Sequence, residues 1–154
     1  MKNGIDLIAE ERDEQIEKHG FSVVRDLQYH EGELVQAAKF CLMYNDSVEL
    51  QQFNWPEKMN AQARDVIMSK DSIDRTILAG AFMAAELDRV FYFRFLLEIA
   101  KNLSAHHGYT LPESRAVIDH NPHAFYGAYR SGITAETIAD KWNTSHLGKP
   151  KSTF

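Results

Sequence analysis

The stretch SIDRTILAGAFMAAELDRVFYFRFLLEIAKNL, residues 72–103, decides the fold. It contains no proline and one glycine, Gly80, and its segment ILAGAFMAA is apolar on every side. A helix carries that pattern when other elements surround it, so the spacing predicts a long, buried central helix. Its continuation, VFYFRFLLEIA, adds an aromatic face in which Phe91, Phe93 and Phe95 are read as core or dimer contacts.

Working outward, GIDLIAEERDEQIEK (residues 4–18) reads as a helix stopped at His19-Gly20, where glycine suits the left-handed conformation that closes helices. The connector FSVVRDLQYH precedes GELVQAAKFCLMY (32–44), a second helix with Leu34, Ala38 and Cys41 on one stripe. Asp46 with Glu49 resembles a capping box, and Trp55-Pro56 marks a break, so residues 45–62 read as a short helix or turn followed by loop. Beyond the central helix, Thr110, Pro112 and Glu113 mark a new helix start. The segment AFYGAYRSGITAETIADKW (124–142) then divides into two short helices at Ser131-Gly132, with Thr134 as N-cap. The expected fold is all-α, a helical bundle (1–104) around a long buried central helix, with a small helical C-terminal extension (105–154) ending in a polar, mobile tail.

Composition narrows the function classes. A formal net charge of −5 disfavours broad, charge-driven binding to nucleic acid or an acidic membrane. Cys41 is the sole cysteine, so neither an internal disulfide nor a cysteine-cluster zinc site is open to this chain. No uncharged run reaches the ~18 residues of a membrane span, and no signal-peptide core is visible; a cytoplasmic protein is expected.

The chemistry begins at Arg12. Ile5, Ile8 and Ile16 mark one face of the first helix, and Arg12 stands four residues from both Ile8 and Ile16 on it, so a guanidinium is expected to point inward. On the central helix Glu86 shares a face with Leu78, Phe82, Val90 and Phe93. Two readings follow. Arg12 and Glu86 form a buried ion pair, with Gln15 or Arg89 filling the remaining hydrogen bonds. Alternatively, Arg12, Gln15, Lys18 and Arg89 offer donors to the phosphate oxygens of a ligand in a cleft that Glu86 borders. On the outer flank, Glu10, Glu11 and Glu14 have the three- and four-residue spacing that an Mg²⁺ site can use.

The segments ERDEQIEKHGF, GELVQAA and DRTILAGAFMAAELDRV, spanning about residues 4–91, together resemble a group of small all-α proteins of phages and prophages. That group is loosely similar to the all-α nucleoside triphosphate pyrophosphohydrolases of the MazG type. Their pattern is Glu-Glu-x-x-Glu followed by Glu-x-x-Asp on a second helix. Glu10, Glu11 and Glu14 match the first half; at the second, this chain has Glu33 and Gln36. The resemblance implies a nucleotide-related role, as an Mg²⁺-dependent pyrophosphohydrolase or as a non-catalytic binder of a nucleotide or nucleotide signal.

Two other classes stay open. One is a phage accessory protein that binds and inhibits a host defence protein through the aromatic helix around residues 91–95, acting as a homodimer or higher homo-oligomer. The other is a DNA-binding regulator, since AYRSGITAETIADKW resembles the start of a helix-turn-helix; the recognition helix that should follow falls on NTSHLGKPKSTF, which Pro150 interrupts. His106, His107, Asp119, His120 and His123, and an HNH-like echo through Asn143 and His146, are expected as exposed or hydrogen-bonded side chains rather than a metal site.

Overall fold

Local capping chemistry sets the limits of nearly every helix. The computed structural model describes residues 2–43 and 54–145, and among them all regular structure is helical. Helix α1 (Gly4–His19) starts at Asn3, whose side chain accepts from the Asp6 amide while the Asp6 carboxylate accepts from the Asn3 amide. Gly20, at φ 68°, closes it. The one-turn helix α2 (Val23–Asp26) is capped by Ser22 and lies inside the stretch read from the sequence as a connector. Helix α3 spans Glu33–Met43, and α4 (Ala61–Met68) begins where the Asn60 side chain accepts from Gln62. The capping box expected at Asp46 and Glu49 lies outside the described residues.

The long helix is real: α5 runs over 35 residues, Ser72–His106. Asp71 opens it by accepting from the Ile73 and Asp74 amides. Helix α6 (Leu111–His120) has the capping box of Thr110 and Glu113 with proline in its first turn. Helices α7 (Pro122–Arg130) and α8 (Ala135–Ser145) follow, with Thr134 accepting from the Thr137 amide.

The chain forms two compact units that divide inside α5, between Arg89 and Val90. In the first, Ala38, Phe40, Cys41, Ile67, Leu78 and Ala79 make one apolar cluster, with Trp55 and Phe82 packed against it. Tyr29, Leu34 and Ala85 make a second, with Met59 and again Phe82. Each large side chain buried here contributes roughly 1.5–3 kcal/mol. Gly80 lets α1 approach α5: a Cβ at that position would stand 2.5 Å from Cδ1 of Ile8. In the second unit, Tyr92, Leu96, Ile99 and Leu103 of α5 are buried, as are Tyr109, Ile118, Phe125 and Ala139. The Tyr92 ring contacts Phe95, Tyr126 and Tyr129, and its hydroxyl donates to the Pro122 carbonyl.

Two expectations are corrected. Ile5 does not join the inner face of α1 but stands 79% exposed, in a first turn whose residues 4–6 are all exposed. The central helix is not covered all round: Met83, Leu87, Phe91 and Phe93 are exposed, while the small residues Ala79, Ala81 and Ala85 take the buried positions.

Candidate functional site

Arg12 does point inward, but its partner is not Glu86. Its Nη2 donates to Oδ2 of Asp26 at 2.9 Å, and its Nη1 donates to the Phe21 carbonyl at 3.1 Å. Its Nε lies 3.6 Å from Oδ2 of Asp88, within ion-pair reach and too far for a hydrogen bond. Glu86 is instead satisfied along its own helix, where Arg89 donates to both of its oxygens at 2.8 and 2.6 Å. Residues three apart on a helix are neighbours, so this bidentate pair forms without tertiary help. Burial pushes the Asp26 carboxyl above its ordinary value, and the Arg12 guanidinium only partly offsets that.

The Arg12 contacts fix the turn between α1 and α2 against the flank of a cavity of about 520 Å³ in the first unit. That volume falls in the range of small-molecule sites. Its apolar wall comes from Leu34, Trp55, Met59, Ile67, Leu78, Phe82 and Ala85. Trp55 is held edge-on against Phe40 and Phe82, with ring centroids 5.4 and 6.2 Å away, and its Nε1 donates to the Asn60 carbonyl. The polar part of the lining includes the acids Glu11, Glu14 and Asp26 as well as Gln15, His19, Arg25 and Lys70. Arg25 lies over the Phe21 ring, 4.5 Å from its centroid, and donates to the His19 carbonyl. Among the described residues, no carboxylate stands within ion-pair distance of Arg25 or Lys70.

On α1, Gln15 is buried and donates through Nε2 to Oε1 of Glu11 at 3.3 Å. Glu11 is half-buried, and loss of water raises its carboxyl above the ordinary value; the Gln15 hydrogen bond and the charge of Lys70 pull the other way. The cavity lining therefore joins a partly desolvated acceptor, Glu11, to Lys70, whose charge acts on it, and to Arg25, whose charge acts on Asp26.

The sequence-derived site residues separate. Arg12, Gln15, Glu11 and Glu14 line the cavity, whereas Glu10, Lys18, Glu86 and Arg89 do not. The guanidinium of Arg12, read from the sequence as a phosphate donor, is bonded in this structure to Asp26 and to the Phe21 carbonyl. Lys18 stands exposed, paired with Glu14 at 2.9 Å. The expected Mg²⁺ triad also fails to converge. Glu10 pairs with Lys2 on the surface, Glu14 with Lys18, and Glu11 turns to Gln15. Among the described residues, no three His, Cys, Asp or Glu side chains gather as metal ligands. Glu33, at the start of the motif's second half, faces Lys58 at 3.0 Å and accepts from the Glu31 amide. The histidines are likewise dispersed: His107 pairs with Asp140 and His120 with the Ala116 carbonyl. His146 and the segment where a recognition helix would fall lie outside the described residues.

Arg25, Lys70, His19, Trp55 and Phe82 were not singled out as site residues by sequence reasoning. Arg25 and Lys70 sit in a one-turn helix and in an inter-helix turn, where no periodicity flags them. Trp55-Pro56 was a visible signal, but it reads equally as a loop marker.

Comparison with known proteins finds no matching family model, curated sequence or solved structure. Among the described residues, no helix is long and apolar enough to cross a membrane.

Proposed function

We propose that the first unit binds a nucleotide, with its base against the Trp55 and Phe82 wall and its phosphate toward Arg25, Lys70 and His19. The observation that carries this reading is the pairing, in one cavity of about 520 Å³, of aromatic side chains with Arg25 and Lys70, neither of which stands within ion-pair distance of a carboxylate among the described residues. Aromatic rings accept the face of any base, and a guanidinium matches phosphate oxygens two at a time. Binding rather than hydrolysis is the reading adopted, since the carboxylates that the MazG resemblance assigns to Mg²⁺ point to different partners.

Thermal shift and calorimetry against nucleoside mono-, di-, tri- and cyclic phosphates test it. A specific nucleotide at ~100 times its dissociation constant adds ~2.7 kcal/mol of stability. Arg25→Ala and Lys70→Ala should each weaken binding at least about tenfold, as expected for loss of a charge-assisted hydrogen bond. Flat melting curves across the whole panel overturn the proposal. Pyrophosphate release on incubation with nucleoside triphosphates and Mg²⁺ would restore the hydrolase reading.

A second reading has its own observation. Phe91 and Phe93 are 52% and 41% exposed, and these rings on α5 are the side chains that a protein contact, with either a second copy or a host protein, would use. Phe91→Asp with Phe93→Asp should convert any dimer to monomer in light scattering while nucleotide-dependent melting stays unchanged.

A further inference from the structure

Glu11 and Gln15 form a unit that the phosphate contacts do not use. They stand one turn apart on α1, joined by Gln15 Nε2 to Glu11 Oε1, and both line the cavity. That bond engages Nε2 of Gln15 and Oε1 of Glu11, so the acceptors of these two cavity-lining residues that it does not use are Oε2 of Glu11 and Oε1 of Gln15. A half-buried carboxylate has lost part of its water, and a ligand group that donates to it restores what was lost. An anion placed directly on it is repelled. The matching group is neutral and carries two neighbouring donors.

We infer that Glu11 and Gln15 read the 2′,3′-diol of a ribose, and that the protein thereby selects ribonucleotides over deoxyribonucleotides. This rests on the nucleotide reading above. The surroundings agree with the order of groups in a nucleotide. Lys70 and His19 line the same cavity as Glu11, and the Lys70 charge acts on that carboxylate, so the phosphate contacts share the cavity with the sugar reader. The Trp55 and Phe82 rings line the same cavity and take the base. A 2′-deoxy sugar keeps one of the two hydroxyls and leaves one acceptor without its donor.

The test is calorimetry of the full chain with AMP, GMP, CMP and UMP and with their four 2′-deoxy counterparts at one ionic strength. The ribose form of whichever base binds should bind at least about tenfold tighter than its deoxy partner. Glu11→Gln should reduce that ratio below about threefold, chiefly by weakening the ribose form, with the apo melting temperature kept or raised. Equal binding of ribose and deoxy forms to the native protein overturns the sugar reading and leaves the nucleotide reading standing. A ratio that survives Glu11→Gln also overturns it. Absence of binding by all eight compounds overturns the sugar reading for monophosphates, while the nucleotide reading falls only with flat curves across the wider panel.

Discussion

Arg12 and Asp26 form an ion pair at 2.9 Å in which the two side chains are 7% and 1% exposed. It joins the middle of α1 to the end of α2 and, through the Phe21 carbonyl, holds the turn from which Arg25 faces the cavity. Removing one member of such a pair strands the other.

Arg12→Leu should therefore destabilise the first unit by about 3–5 kcal/mol near neutral pH, measured by urea unfolding. The stranded Asp26 then has a folded-state pKa above its unfolded value, so the folded variant binds the extra proton. Its stability is kept in acid and lost as the pH rises through that folded-state value. The penalty relative to the native protein should shrink between about pH 7 and about pH 5. Arg12→Leu combined with Asp26→Leu should recover most of the loss, since an apolar pair replaces a desolvated charge. An equal penalty at both pH values would refute the account.

Glu11 gives a second pH-dependent outcome. Burial holds its carboxyl above the ordinary value, so the native fold gains stability from this group as the pH falls and loses it as the pH rises through the folded-state value. Glu11→Gln removes the desolvated charge. The variant should melt at the same temperature or higher near neutral pH, and the difference should close on acidification. A variant less stable than the native protein at neutral pH would show that the carboxylate contributes to the fold, not only to the cavity.

Gly80→Ala probes the approach of α1 to α5. The new methyl would meet Cδ1 and Cγ1 of Ile8 at 2.5 and 2.7 Å, so Ile8 or the helix itself must move. Overpacking of this kind costs about 1–3 kcal/mol. Ile8→Ala in the same chain should relieve much of it, and the two effects should fail to add. Strict additivity in a denaturation cycle would rule out the contact.

In the second unit, Tyr92→Phe removes a buried hydroxyl and deprives the Pro122 carbonyl at the start of α7 of its side-chain donor. A loss of about 1–3 kcal/mol is expected, with amide exchange rising first around residues 122–130. An unchanged melting temperature would mean that water replaces the hydroxyl at no cost.

The elements most legible in the sequence were those with both a period and a stop signal. Residues 72–103 announced α5, Gly20 ended α1, and Thr110 with Glu113 began α6. The inward turn of Arg12 was legible for the same reason, since its apolar neighbours lie four residues away on either side. Its partner was not. Asp26 is fourteen residues away in a single-turn helix too short to show a pattern, and Glu86, the charge that the pattern did offer, is satisfied three residues later by Arg89. The cavity was hidden for a related reason: its cations sit where the chain turns, and helical spacing cannot place a turn. The Glu10, Glu11 and Glu14 cluster failed the other way, because correct spacing on a helix says nothing of which lysine each carboxylate will meet.

The chain has two tryptophans, Trp55 beside the cavity and Trp142 packed on Phe125 in the second unit. Each unit thus contains its own intrinsic fluorophore. With Trp142→Phe, emission arises solely from the indole next to the proposed base, and stacking should quench it in proportion to occupancy. With Trp55→Phe, the remaining emission follows the unfolding of residues 90–145, so one optical signal can be assigned to either half of the molecule by a single aromatic exchange.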